Sequence, residues 1–117
     1  MNIDERALGD VTVLDLKGQL TLGDPSDRLK DKINSLIHQN RRQLLVNLGG
    51  VSYIDSSGLG QLISAYTTVT RQGGRLALIN LTRRTQDLLA ITKLLTVFDT
   101  YDSEQAAVES FGQGRPA

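Results

Sequence analysis

Cysteine is missing from all 117 residues, so no disulfide can staple this chain, as suits a reducing cytoplasm. No apolar stretch approaches the roughly 20 residues that a membrane helix needs. The amino terminus, Met1-Asn2-Ile3-Asp4-Glu5-Arg6, lacks the basic-then-apolar character of a secretory signal. Charge of one sign is absent too. Thirteen basic residues balance 13 acidic ones to a formal net charge of zero, which leaves no global field to gather nucleic acid or anionic lipid. These absences imply a soluble cytoplasmic protein with no direct nucleic-acid or membrane partner, which must recognise any partner locally. The basic doublets Arg41-Arg42 and Arg83-Arg84 have no interleaved aromatics and read as solvated ends of elements.

The usual catalytic equipment is equally sparse. His38 is the one histidine, at the polar end of a helical pattern among Gln39, Asn40, Arg41 and Arg42, where it suits the helix dipole. A nucleophilic serine needs a base within hydrogen-bond reach, and none is in view for the serine pair Ser56-Ser57. Asp55-Ser56-Ser57-Gly58 is not a G-x-S-x-G elbow, Gly58-Leu59-Gly60 has no third glycine at dinucleotide-binding spacing, and no G-K-[ST] occurs. One histidine and scattered carboxylates make no metal-ligand set. The chain therefore reads as a non-enzyme without a cofactor.

What is present is a single α/β domain. With 117 residues the chain is long enough to bury roughly two thirds of its unfolded surface unaided. Ile3 to Ala7 and the alternating Val11 to Leu16 flank Gly9-Asp10 and read as a hairpin. Gly18 and Gly23 then punctuate a connection through Gln19-Leu20-Thr21-Leu22. Asp24-Pro25-Ser26 opens a helix whose stripe is Leu29, Ile33, Leu36 and Ile37. Leu44 to Leu48 is a nearly continuous apolar run, which suits a strand covered on both faces. Gly73-Gly74 closes a second helix ahead of a buried strand, Arg75 to Asn80, parallel to the first. A third helix from Thr82 or Arg83 carries Leu88, Leu89, Ile91, Leu94 and Leu95 inward. Thr96-Val97-Phe98 is a short extended piece, and Ser103-Glu104 starts a last helix through Phe111. The expected boundaries are 2–111 for the domain and 112–117 for a flexible tail.

The chain is organised around V-S-Y-I-D-S-S-G-L-G-Q-L, Val51 to Leu62. An apolar strand pattern ends at Asp55-Ser56-Ser57, and Leu59, Leu62, Ile63, Tyr66 and Val69 begin a helix with one buried face. Asp55 or Ser56 places a side-chain oxygen over the free amides of the first turn. Gly58 and Gly60 each cost a helix about 1 kcal/mol relative to alanine, so something compensates. Either neighbouring backbone packs close against this helix start, or the glycines leave it uncovered for a partner or an anion. Ser56 and Ser57 likewise either cap the helix or accept chemistry performed by another protein.

These residues resemble the STAS domain, and within it the bacterial anti-sigma factor antagonists. Asp55-Ser56-Ser57-Gly58-Leu59-Gly60 is similar to that family's phosphoacceptor signature, and the likeness runs from Val13-Leu14-Asp15-Leu16 through Leu45-Val46-Asn47-Leu48 and Gly73-Gly74-Arg75-Leu76 to the closing helix. The resemblance implies a mixed, mostly parallel sheet of four to five strands with about four helices packed mainly on one face. It implies that Ser56 takes a phosphate from a cognate anti-sigma factor serine kinase, a GHKL-type ATPase. It further implies that a PP2C-type phosphatase removes it. Asp55, Ser56, Ser57, Gly58, Leu59 and Gly60 would form the partner-binding stretch. The chain departs from the family pattern at Thr21-Leu22-Gly23-Asp24-Pro25-Ser26, which bears on who the partner is. An adaptor subunit of a transport or scaffold complex, never phosphorylated, is the alternative within the same family.

Overall fold

A computed structural model describes residues 1–113. The elements are β1 (Asn2–Leu8), β2 (Val11–Leu20), α1 (Asp24–His38), β3 (Gln43–Ile54), α2 (Ser56–Arg71), β4 (Arg75–Ile79), α3 (Arg83–Ile91), β5 (Asp99–Tyr101) and α4 (Glu104–Gln113). They build one five-stranded sheet in the order β1-β2-β3-β4-β5, with β1 antiparallel to β2 and the other pairs parallel. Each parallel pair is joined across a helix or a helix and turn, as parallel strands require. The mixed, mostly parallel sheet of the sequence reading is thus what the chain forms.

The two sheet faces are unequal. Leu14, Leu16, Leu44, Val46, Leu76 and Leu78 point to one face, where α1, α2 and α3 cover them with Leu29, Ile33, Leu62, Val69 and Leu89. Val11, Val13, Leu45, Ala77 and Ile79 point to the other, which among the described residues α4 covers with Ala107 and Phe111. Period-two alternation within β2 to β4 sorts these residues, and covering both faces explains the near-continuous apolar runs. Beside α4, Arg6 joins three elements. Its guanidinium meets Asp15 of β2 at 2.6 Å and Glu104 of α4 at 2.5 Å, and Asp15 also accepts from Asn47 Nδ2 of β3. The Arg6 hydrogen bond holds the Asp15 carboxyl below the usual carboxylate range.

Several expectations need correction. Gly18 does not end β2. The strand shifts register between Asp15 and Lys17 and again after Gly18, whose φ is 111°, and pairs on to Leu20 opposite Ile54, so the glycine marks a bulge. The apolar run Leu44 to Leu48 and the pattern that ends at Asp55 belong to one strand of 12 residues, β3. A side chain on Gly50 would meet the Leu16 carbonyl at 2.8 Å, so the glycine marks a close backbone approach within the sheet. Ile91 is exposed and does not face inward, because it lies two residues, or about 200°, around the helix from buried Leu89. Leu94 and Leu95 do reach the core, but from a turn after α3, where Lys93 adopts φ 61° and the Leu94 amide donates to the Leu89 carbonyl. The extended piece is Asp99–Tyr101, later than the Thr96 to Phe98 expected. Phe98 instead turns inward and packs edge-on against Tyr66 with ring centroids 5.4 Å apart. The last helix continues through Gln113, past the boundary at Phe111, and the remainder of the expected tail lies outside the described residues.

The contact that sets the position of α2 is at its amino-terminal turn. Gly58 lies directly against the last residue of β2. A Cβ there would overlap the Leu20 carbonyl oxygen and come within 2.9 Å of Leu20 Cγ. Gly60, two residues on, has nothing within 4 Å of the equivalent point. The two readings of these glycines therefore divide between them, close packing at Gly58 and an open surface at Gly60. Opposite signs are expected from one substitution made at both sites. Gly58→Ala should destabilise by about 3 kcal/mol, since backbone has to move. Gly60→Ala should stabilise by up to about 1 kcal/mol, through lost unfolded-state freedom. Urea unfolding of the two variants measures both.

Candidate functional site

The site is assembled where β2 and β3 end side by side on the α2 end of the sheet. Parallel pairing of Leu20 with Ile54 puts the chain leaving β2 next to the chain entering α2. Asp55 occupies the N-cap with extended backbone, φ −100° and ψ −178°. Its Oδ1 accepts from the Gly58 amide at 2.8 Å, the capping geometry expected of Asp at this position. Its Oδ2 accepts from the Leu22 amide at 3.0 Å, and its own amide donates to the Leu20 carbonyl at 3.3 Å. One carboxylate therefore caps the helix and ties down the β2–α1 connection. Of the two capping residues considered from sequence, Asp55 is the one that caps.

Because both oxygens of Asp55 accept backbone amides, its carboxyl is held below the usual carboxylate range. The Gly58 amide is the main cause and the Leu22 amide the next. At neutral pH Asp55 is a fixed anion at the helix start.

Capping by Asp55 leaves Ser56 free of that task. Ser56 is the first residue of α2 and is exposed, whereas Ser57 is half-buried and Gly58 and Leu59 are buried. Gly60 returns to the surface one turn on from Ser56. Of the six residues Asp55 to Gly60, then, Ser56 and Gly60 reach the surface, Gly58 and Leu59 anchor the helix, and Asp55 and Ser57 lie between.

The structure also brings to this site residues that the sequence reading left aside. The exposed large apolar side chains among the described residues are Leu22 at 75%, Tyr53 at 42%, Ile91 at 79% and Val97 at 38%. Leu22 adjoins the site through its hydrogen bond to Asp55, and Tyr53 precedes Asp55 by two residues on β3. Tyr53, Ile54, Arg83, Arg84, Leu88 and Ile91 line a shallow groove between the end of β3 and α3. In the sequence, Ile91 fits the helix period counted from Leu88 and reads as inward-facing. Its exposure follows from the structure's orientation of α3 about Leu89, two residues before it.

Asp55→Ala tests the capping arrangement. A carboxylate with a depressed folded-state pKa stabilises the protein above its unfolded pKa of about 4, and that contribution is lost as pH falls through the lower folded value. The variant should melt lower than the parent near neutral pH, and this gap should narrow as the pH is lowered below about 4. Thermal unfolding followed by circular dichroism across that range checks both points.

A family model described as the STAS domain matches residues 2–107. The anti-sigma-B factor antagonist of Bacillus subtilis (strain 168) is 36% identical over 81 residues, covering 69% of this chain and 73% of that protein. An anti-sigma-factor antagonist (STAS) domain protein from Planctomyces limnophilus superposes with a TM-score of 0.82 at 18% identity, covering 95% and 98% of the two chains. SpoIIAA, a cell fate determinant of Bacillus solved in a phosphorylated form, superposes at 0.74 and 20% identity, covering 94% and 99%. The sheet order, the helix-capping aspartate and these matches lead to one assignment: the chain belongs to the STAS domain family, among relatives named anti-sigma factor antagonists.

Proposed function

We propose that this protein is an anti-sigma factor antagonist that binds a serine-kinase anti-sigma factor while unmodified and is released when that kinase phosphorylates Ser56. The observation that carries the reading is the exposed hydroxyl of Ser56 on the first residue of α2, beside an aspartate that already caps the helix. Ser56 is therefore free to be modified without uncapping anything. A relative is named for an anti-sigma-B factor and a fold neighbour exists in a phosphorylated form, and both support the reading.

The energetics separate folding from binding. A phosphate on Ser56 adds about −1.5 to −2 charges. At an exposed helix N-terminus that charge is favourable by about 0.3 to 1 kcal/mol, less whatever repulsion Asp55 adds, so the domain survives. Against a docked partner the same dianion is desolvated next to a fixed carboxylate, and a penalty of about 4 kcal/mol weakens binding roughly a thousandfold. The partner is a GHKL-type ATPase in this reading, and a PP2C-type phosphatase resets the switch.

The first experiment is to retain proteins on the unmodified chain, identify the ATPase among them and purify it as the probe. Ser56→Ala should bind that kinase as the parent does and accept no phosphate. Ser56→Asp should fold normally but bind at least about tenfold more weakly, and the phosphoprotein about a thousandfold more weakly. Loss of binding by a folded Ser56→Ala, or phosphate found on Ser57 in its place, would count against the proposal. Absence of any phosphate on protein recovered from cells would favour the adaptor.

A further inference from the structure

The groove beside the site has a chemistry of its own. Its apolar lining comes from Tyr53, Ile54, Leu88 and Ile91, and its charged residues are Arg83, Arg84 and Asp87. That is a local charge of +1 on a chain whose formal net charge is zero. Among the described residues none of the three belongs to an ion pair. The Arg84 guanidinium lies 5.4 Å from the centroid of the Tyr53 ring. Stacking there restricts the side chain while leaving the edge of the guanidinium able to donate outward. The doublet read from sequence as a solvated helix start thus borders an exposed apolar strip, one arginine being held in place.

We propose that this groove is part of the docking face for the same kinase partner, and that it receives an apolar segment of that partner bordered by carboxylates, which Arg83 and Arg84 bind. The proposal rests on the Ser56 reading, since it assigns a second part of the same interface. Continuity supports it: Tyr53 and Ile54 lead without a break into Asp55 and Ser56, so a partner covering Ser56 also covers the end of β3. Charge selects the occupant. An apolar segment alone would cover Ile91 but leave two guanidinium groups partly desolvated and unpaired, which is costly, whereas carboxylates at its border meet them. A second copy of this chain fits less well, because a two-fold contact would bring together four guanidinium groups and only two Asp87 carboxylates. The arginines also link the groove to the switch. A partner that presents carboxylates here approaches Asp55 and, after modification, phosphoserine 56 with like charge, which sharpens release.

The probe is the purified kinase described above. The variants are the doubles Arg83→Glu with Arg84→Glu and Arg83→Lys with Arg84→Lys, and the single Ile91→Asp. All sit on exposed positions, and thermal unfolding verifies that each remains folded. Charge reversal should weaken binding by roughly 10- to 100-fold and flatten its dependence on salt, since attraction between exposed charges is screened. The lysine pair should keep the salt dependence, and Ile91→Asp should weaken binding about tenfold or more. If reversal and Ile91→Asp bind as the parent does while Ser56→Asp still fails to bind, the groove proposal is overturned and the Ser56 reading stands. If Ser56→Asp binds as the parent does, the Ser56 reading falls and takes this proposal with it. A parent dimer in solution that Ile91→Asp converts to monomer would overturn the proposal in favour of self-association.

Discussion

The close approach of the α2 amino terminus to the end of β2 is the constraint on which the site depends. Gly58 has no side chain because the Leu20 carbonyl occupies its place, and Asp55 closes the same junction with three backbone hydrogen bonds, two accepted and one donated. Two chain segments far apart in sequence are thereby held at fixed separation. The consequence is that Ser56 sits on an anchored helix start and not on a loop, and in the proposed switch that anchoring would let a single added charge act on a partner instead of being absorbed by local rearrangement.

The rest of the fold serves that junction. Three helices over one face supply the larger core and set the direction of α2, while α4 shields the opposite face with a smaller one. That smaller layer gains two arginine ties. Arg6 reaches Asp15 and Glu104, and Arg75 reaches Asp99, the Ser110 hydroxyl and the Tyr101 hydroxyl while its guanidinium lies 4.7 Å from the Phe111 ring centroid. Exposed pairs of this kind contribute little individually, so the buried contacts of Ala107 and Phe111 do most of the holding and the arginines fix orientation.

Much of this was legible from residue pattern because burial on two faces and helix periodicity leave direct marks. The core residues of β2, β3 and β4, the hairpin turn at Gly9-Asp10, a side-chain cap at Asp55 or Ser56 and the buried face of α2 all follow from local rules. The misreadings share a cause. Gly18 looks like punctuation in one dimension, yet a sheet uses glycine for bulges, which depend on the neighbouring strand. Ile91 likewise satisfies a helical spacing counted from Leu88, but α3 is only nine residues long and is oriented by Leu89, so the isoleucine faces solvent. The groove could not be read at all, because Tyr53 and Arg84 come from elements that meet only in the fold. The signature from Asp55 to Gly60 marks the site, but sequence alone did not divide anchoring residues from exposed ones.

That division bears on why the proposed phosphoacceptor is position 56 and not the residue one step further on. At the N-cap an anion is already present and engaged with two amides, so a second one there would compete for the same donors. Ser57 is half-buried and precedes a glycine pressed on a carbonyl oxygen, so a phosphate on it would have to be accommodated against packed backbone, at a cost to the domain itself. Residue 56 alone combines solvent access, the favourable end of the helix dipole and a neighbouring fixed negative charge. In the proposed switch, modification there would change the electrostatics of the surface without removing a hydrogen bond that Asp55 makes at the junction, and that separation is what a reversible binding switch requires.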